Sequence, residues 1–479
     1  MRTRTAFAAL LLTGCTTVGP NYRQPDIPTP AEYARQHDAQ ALSDADLASW
    51  WRQFGDAQLD SLVARAIALN LDVQSAAARI REARARETLA GARGLPTLDA
   101  QASATRQRIS ENAIPTPPGA GPPGSGGAFG LPGSEFNTFR LGLDASWEID
   151  LFGGTRRGIE AAGARTGAAL WTRSDLQATA AAEVANAYFS LRTLQERIAN
   201  AETDLARQQR EEQLRRARFK GGLTSGIEVE QQRSDTSTAA AELPTLRAQA
   251  EAQIHAIGLL TGTTPEALIA ELSPAKAIPA PPAIPAGLPS DLLRRRPDIR
   301  AAERDVAAAT ADIGVATADL YPKISLTAAP ALVSTALASL LDWGSRSYSV
   351  GASLLWPLFD GGKARANIAV ADAKQEQALI AYRKSVLTAL KDVEDALSRT
   401  QSDRRRLADL DRSHEAISRA EALSRTRYRG GLVTLSEVLT NEGKRLSVEK
   451  QMIETRGALA RDGVALFKAL GGGWPEQQP

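Results

Sequence analysis

The sequence predicts a mainly α-helical chain with a membrane β-barrel, built as a tandem duplication in which four strands accompany long coiled-coil helical hairpins. Three observations predict this fold class. One is a repeat that relates the two halves of the chain; the second is four segments of alternating apolar and polar residues. The third is a pair of proline-free stretches of about 65 residues, each long enough for a single helix of roughly 100 Å.

The repeat is visible in two separate matches. Residues 72–96 align without a gap to residues 298–322, an offset of 226 between positions 72 and 298. Residues 218–223 recur as residues 427–432, an offset of 209 between positions 218 and 427. The six prolines within residues 272–289 form a semi-rigid connector between the copies. We therefore predict a first repeat at 57–271, a linker at 272–289 and a second repeat at 290–471.

The N-terminus has the features of an export signal. Arg2 and Arg4 precede a short apolar run at residues 6–12, and Leu12-Thr13-Gly14-Cys15 follows it. These four residues resemble a bacterial lipobox, in which the cysteine becomes the lipidated first residue of the mature protein. We predict a signal peptide at 1–14 and a covalent lipid on Cys15, the only cysteine in the chain. The apolar run is too short to form a membrane-spanning helix.

Four segments have the alternation of half-buried strands, near residues 97–106, 138–151, 323–329 and 347–358. Segments of about ten such residues with aromatic residues near their ends are typical of a membrane barrel wall, although a soluble sandwich alternates too. Four strands cannot close a membrane barrel, because about eight is the smallest known number. Two copies supply about eight strands and three about twelve, and only twelve leave room for a water-filled pore. We therefore predict a trimeric barrel.

Each copy then contains a long helix, a tight turn and a shorter return helix. Apolar residues follow a heptad pattern typical of coiled coils in both copies: Val184, Leu191, Ile198 and Leu205, with Ala187, Leu194 and Ala201, and in the second copy Val393, Ala396, Leu407, Leu410 and Ile417. Gly221 and Gly222 in one copy, and Gly430 and Gly431 in the other, predict turns at 221–226 and 430–434, since glycine tolerates the left-handed conformation that ends a helix.

The loops between paired strands differ in composition. Residues 115–133 are rich in glycine and proline and predict a solvated loop tip. Residues 331–346 are more apolar and predict a short helix near 335–341.

Composition excludes several classes of function. The net charge of +2 provides no basic field for nucleic acid. One cysteine and three distant histidines give no metal-binding spacing, and no nucleophile, paired carboxylate or phosphate loop fits a catalytic motif. We predict no enzyme, no metal and no cofactor beyond the lipid on Cys15.

Three stretches identify a family. Residues 15–22, 288–299 and 469–474 resemble the mature N-terminus, the most recognisable internal stretch and the C-terminal end of the TolC-type outer-membrane efflux channels, in their NodT-like lipoprotein branch. The resemblance covers the whole mature chain. It implies a homotrimer in the outer membrane of a Gram-negative bacterium, with an α-helical periplasmic tunnel, residues 15–56 as an extended segment of its equatorial region, and residues 472–479 as a tail.

The resemblance also implies partners and a gate. Such channels work with a periplasmic adaptor and an inner-membrane pump, and the turns at Gly221-Gly222 and Gly430-Gly431 correspond to the family's adaptor-docking tips. The family's gate pattern, a tyrosine before the turn and acidic residues after it, matches Tyr428 and Glu437, with Glu228 in the first copy. At the next acidic position this chain has Thr440, a departure from a doubled acidic ring.

The predicted function is therefore an outer-membrane exit duct that passively conducts small molecules, such as drugs and toxic compounds. An outer-membrane channel for a peptide or protein exporter is an alternative within the class. A periplasmic coiled-coil scaffold is an alternative in another class, although it leaves the strands and the export signal without a role.

Overall fold

The computed structural model describes residues 17–34, 42–110, 135–287 and 289–474. Cys15 and the loop at 115–133 lie outside the described residues. The chain divides into two compact units. The first contains the described residues up to Arg23 together with Ala83–Thr166 and Asp305–Ala378, and the second contains Gln24–Glu82, Gly167–Arg304 and the described residues from Leu379 onward.

The chain is mostly helical, with one sheet in the described residues. The helices are α1 (Asp44–Ala48), α2 (Ala57–Leu69), α3 (Leu71–Ala92), α4 (Gly154–Lys220), α5 (Gly226–Leu260), α6 (Pro265–Leu272), α7 (Leu292–Arg295), α8 (Pro297–Ala318), α9 (Lys363–Arg429) and α10 (Leu435–Ala469). The strands are β1 (Thr97–Arg108), β2 (Glu135–Ile149), β3 (Lys323–Ser334) and β4 (Arg346–Leu355). Within the described residues, no helix is both long and apolar enough to cross a membrane.

The duplication extends to the bounds of the elements. The long helices α4 and α9 both have 67 residues, and their return helices α5 and α10 both have 35. Helices α3 and α8 have 22 residues each, and β1 and β3 have 12. The starts of α4 and α9, at residues 154 and 363, differ by 209, and the starts of α3 and α8, at residues 71 and 297, differ by 226. Corresponding residues of the two copies can therefore be compared one by one.

The sheet lies in the first unit, and its four antiparallel strands are ordered β1-β2-β3-β4. Two equivalent hydrogen bonds tie it to the segments that precede β1 and β3. Trp147 Nε1–H donates to the Gly94 carbonyl at 2.9 Å, and Trp356 Nε1–H donates to the Leu320 carbonyl at 3.1 Å. These residues are repeat equivalents, so both copies fix the same end of the sheet with a tryptophan.

The observed strand bounds differ from the predicted bounds at the strand ends, most clearly at Pro330. The pattern ends the third strand at 329, before Pro330, whereas β3 continues to Ser334. Proline lacks an N–H, and the pairing of β2 with β3 is interrupted between Ala328 and Ala331, but pairing with β4 continues through Pro330. The apolar loop that follows contains a 3-10 turn at Leu337–Ser339 within the range of the predicted short helix.

The second unit has an aromatic and aliphatic core near its N-terminal segment. A 3-10 turn at Trp50–Phe54 stacks the Trp50 ring on Phe467, with 5.2 Å between ring centroids. Asp56 caps α2 by accepting from the Gln58 backbone N–H at 2.9 Å. The prediction that residues 15–56 are extended is therefore wrong for residues 44–54, because burial of Trp50 and Trp51 favours a helical path there.

Candidate functional site

The sheet has one apolar face and one polar face. Cross-strand pairs such as Ala102 with Leu141 and Ala328 with Val350 place the apolar residues of all four strands on the same side. On β2 the apolar face runs from Phe139 to Ile149. The ten steps between these residues span about 33 Å of strand, which is about 25 Å of height at a strand tilt of about 40°. This matches the apolar band of a membrane barrel.

Among the described residues, the two outer strands of the sheet are open on both faces. Leu98 of β1 is 66% exposed and Val350 of β4 is 79% exposed, and every residue of these two outer strands is exposed. Within the described residues, β1 and β4 each pair with a strand on one side only. Such edges are templates for pairing with another chain.

The polar face bears charges close to one another. Arg140 lies 3.3 Å from Asp144, and Asp144 is the cross-strand partner of Asp99. Glu148 pairs with Ser325 on the same face. This face is suited to water, whereas the opposite face is suited to lipid.

Arg157 at the start of α4 holds the segment that follows Cys15. Its side chain is 3% exposed and donates to the carbonyls of Val18 and Gly19 and to Asn21 Oδ1, the last at 2.7 Å. The close approach requires glycine, since a Cβ on Gly19 would lie 2.5 Å from the Gly314 Cα. The first described residues are therefore seated in the first unit.

The two tip turns have the same geometry. In the first, the Leu223 N–H donates to the Arg218 carbonyl at 2.8 Å, and Gly222 has φ 71°. In the second, the Leu432 N–H donates to the Arg427 carbonyl at 2.9 Å, and Gly431 has φ 73°. This is a Schellman-type ending, in which glycine takes the left-handed position.

Gly221 and Gly430 have no positive φ, and each precedes the glycine that does. The turns leave Leu223 71% exposed and Leu432 73% exposed.

The three candidate gate residues are exposed around these turns. Glu228 and Glu437 lie in the first turn of α5 and α10, and their backbone N–H groups donate to the capping Ser225 and Thr434 hydroxyls, both at 3.4 Å. Tyr428 is 43% exposed. The Tyr428 and Glu437 side chains form no hydrogen bond with each other in the described part of the chain.

Buried charges tie the first hairpin to the second within the second unit. Arg210 of α4 pairs with Glu442 of α10 at 2.8 Å, and the Ser436 hydroxyl donates to Glu211 Oε1 at 3.2 Å. Glu211 and Glu442 are each 5% exposed. Because buried carboxylates need partners, these contacts fix α4 against α10.

Further from the tip, α5 and α10 are joined by Glu242 and Lys450 at 2.8 Å. The hydrogen bond from Lys450 holds the pKa of Glu242 below its ordinary value. Helices α9 and α10 are joined by Arg445, which pairs with Glu421 at 2.6 Å and with Glu449. Burial disfavours the Arg445 charge, but these two hydrogen bonds outweigh it and raise the pKa of Arg445.

The sequence reasoning missed Arg157, Arg210 and Glu442. A signal for the last two was present, because polar residues interrupt the coiled-coil helices near the tips, and a charge at a packed position predicts an opposite charge on a neighbouring helix. Arg157 had no such signal, since the Val18 and Gly19 carbonyls and the Asn21 side chain that it binds lie at least 136 positions earlier in the chain.

The chain was compared with known proteins. The family described as "Outer membrane efflux protein" matches residues 62–263 and 288–472. The chain is 33% identical over 476 residues to the pyoverdine export outer membrane protein OpmQ of Pseudomonas aeruginosa, covering 99% of this chain and 97% of the relative. It is 32% identical over 478 residues to nodulation protein T of Rhizobium leguminosarum bv. viciae, covering 99% and 94%.

Solved structures are similar as well. The outer-membrane channel OprN matches with a TM-score of 0.83 and 35% identity, covering 96% of this chain and 99% of that one. A solved structure of CusC matches with a TM-score of 0.80 and 25% identity, covering 95% of this chain and 100% of that one.

Proposed function

The chain belongs to the outer membrane efflux protein family, and from this we propose that three copies form a passive exit duct of a tripartite efflux system. The duct spans the outer membrane of a Gram-negative bacterium and continues as a helical tunnel in the periplasm. A periplasmic adaptor and an inner-membrane pump supply the cargo and the energy, and the duct itself catalyses no reaction.

The observation that supports this proposal most directly is the sheet. Its apolar face has the height of a bilayer's hydrocarbon band, its other face is polar, and both outer strands lack a partner on one side. An open edge in lipid leaves backbone N–H and C=O groups without hydrogen bonds, so such a sheet is stable in a membrane only as part of a closed barrel. Three copies contribute twelve strands, enough for a water-filled pore.

We propose that the turns at Gly221-Gly222 and Gly430-Gly431 are the periplasmic tips that dock the adaptor. The exposed Leu223 and Leu432 support this assignment, because each turn presents an apolar side chain at equivalent positions. Tyr428, Glu437 and Glu228 are proposed gate residues. Three copies of Glu437 near one axis would repel one another and attract cations.

Cys15 is proposed as the lipid attachment site. The residues that follow Cys15 lie beside the start of α4: a Cβ on Gly153 would lie 2.7 Å from the Thr17 Cγ2, and the Val18 carbonyl accepts a hydrogen bond from Arg157. The lipid would therefore enter the membrane close to the end of β2. Cys15→Ala should abolish fatty-acid labelling, and retained label would exclude this site.

The cargo is proposed to be small molecules. The relatives' names include pyoverdine export, solvent efflux and cation efflux, so ducts of this family serve chemically different substrates. A duct for a peptide or protein exporter remains the alternative, and the pump that co-purifies with the chain separates the two.

The testing experiment is the mass and single-channel conductance of the detergent-extracted mature protein. A trimer that resists dissociation in mild detergent and conducts ions in planar bilayers is expected. A water-soluble monomer that leaves bilayers unchanged would contradict the proposal and favour the coiled-coil scaffold.

A further inference from the structure

One face of α9 is apolar, basic and uncovered. Ile380, Lys384 and Leu387 follow a heptad spacing there, and with Arg383, Thr388 and Lys391 they line a shallow groove. Ile380 is 55% exposed and Leu387 is 65% exposed. Arg383 and Lys384 form no ion pair with any described residue. Apolar residues at heptad spacing on a long helix are typical of a coiled-coil packing face. On α9 this face has no partner helix among the described residues.

The same positions are covered in the first copy. Ile380 corresponds to Trp171 of α4, over which the Arg300 guanidinium of α8 lies 4.7 Å from the ring centroid. Leu387 corresponds to Ala178, which is 4% exposed and lies against Gly473. In the first copy, therefore, α8 and the segment after α10 cover the face that α9 leaves bare.

The helix of the first copy that corresponds to α8 is α3, and the equivalent face of α3 is exposed in turn. Pro297 at the start of α8 is buried, whereas its equivalent Leu71 is 61% exposed. Asp72 and Gln74, the equivalents of Asp298 and Arg300, are exposed. The surfaces of α4 and α8 that contact each other thus have repeat equivalents on α9 and α3. These two equivalent surfaces remain exposed.

The charges at these positions complement each other. In the α4–α8 contact, Asp175 of α4 feels the charge of a second carboxylate, Asp298 of α8. Burial raises the pKa of Asp175, the Asp298 charge raises it further, and Lys468 and Arg296 oppose both effects.

The equivalents of these four residues are Lys384, Asp72, Leu259 and Asn70. The Asp175 carboxylate is replaced by a lysine and both compensating cations are replaced by uncharged residues, which leaves one lysine and one aspartate. The net charge of the equivalent site is zero only if Lys384 forms an ion pair with Asp72.

We propose that the Ile380–Lys391 face of α9 binds the N-terminal half of α3 in a second copy of the chain, with Lys384 paired to Asp72 and Ile380 packed beside Gln74. The inference rests on the proposed assembly of three copies and identifies the surfaces that join them. The contact is heterologous, since different surfaces meet, and such contacts close into a ring by rotation. The α4–α8 contact within one chain is its template.

The first test is cross-linking of an Asp72→Cys, Lys384→Cys variant with a short bis-maleimide. Dimer and trimer bands on denaturing gels are expected, because the two positions meet only between copies. Asp72→Cys alone and Lys384→Cys alone are the controls and should give no ladder, which also excludes reaction through Cys15. If the wild type is trimeric but the double variant does not cross-link, the proposed α9–α3 contact is wrong, while the proposed exit duct stands. A monomeric wild type would overturn both.

The second test is a charge exchange that needs no cysteine. Asp72→Lys and Lys384→Asp should each lower the fraction of trimer that survives mild denaturation, because each places like charges in the proposed α9–α3 contact. The double variant should restore that fraction. Lys276→Asp, the same change in the linker, is the matched control and should leave the trimer intact. If the double variant does not recover the trimer fraction while Lys276→Asp remains trimeric, the proposed Lys384–Asp72 pair is wrong.

Discussion

The contact between Arg210 and Glu442 gives the sharpest prediction about the tips. It joins α4 of the first hairpin to α10 of the second, so separating the two hairpins must break it. The Glu442 side chain is 6% exposed and that of Arg210 is 52% exposed. Arg210→Ala therefore removes the partner of a buried carboxylate in the packed state, while a separated state, in which water reaches Glu442, loses little.

The magnitude lies between two limits. Breaking a fully buried pair costs about 3–5 kcal/mol, and an exposed pair is worth about 0.2–1 kcal/mol. With one partner buried and the other half exposed, we expect about 2 kcal/mol. At about 1.4 kcal/mol per tenfold change, the separated state gains about 30-fold in population. If separation of the hairpins opens the duct, the open probability rises by the same factor.

Single-channel recording in planar bilayers measures this directly. The matched control is Arg216→Ala, which removes an arginine of similar exposure, 54%, whose partner Glu212 is on the same helix. Frequent opening of Arg210→Ala and rare opening of Arg216→Ala are expected. Equal open probability in the two variants and the wild type would refute the reasoning.

Three further variants test packing, titration and the proposed gate. Gly457→Ala should destabilise the fold by about 1–3 kcal/mol, because the new Cβ would lie 2.1 Å from Thr193 Oγ1, and adding Thr193→Ala should recover part of the lost unfolding temperature. Asp175→Asn should raise the unfolding temperature at pH 7: burial, then Asp298, raises the pKa of Asp175 in the folded state, so wild-type stability falls as pH rises through that pKa. The gain should vanish in acid, where Asp175 is protonated. Glu437→Lys should reduce cation preference in planar bilayers, and unchanged selectivity would place Glu437 away from the lumen.

The helical hairpins and the strands were largely predictable because their signals are local. The Gly-Gly pairs mark both turns, since the left-handed residue, here the second glycine, sits just beyond the helix end. Apolar and polar residues alternate along β2 because successive side chains point to opposite faces of the sheet, and the two faces have different environments. The repeat offsets transfer every such inference from one copy to the other. Residues 44–54 were mispredicted as extended, because a short helix stabilised by burying Trp50 against Phe467 depends on a residue more than 400 positions away.

The candidate sites divide in the same way. Cys15, the glycine turns and the acidic residues after them are predictions from sequence motifs and the family resemblance, while sequence reasoning did not point to Arg157, Arg210 or Glu442. Their roles depend on which helix lies opposite, and heptad spacing identifies a packed face without naming its partner.

By itself the sequence determined the duplication, the family, the lengths of the hairpin helices and the two-faced strands, because these follow from periodicity and glycine placement along the chain. Only the tertiary structure decided which equivalent surfaces are covered. Two copies of one fold pack α8 against α4 but leave the equivalent faces of α3 and α9 exposed among the described residues, since the second copy of this contact has no counterpart there. That asymmetry depends on which helices lie next to one another in the folded chain, and no local sequence pattern specifies those neighbours.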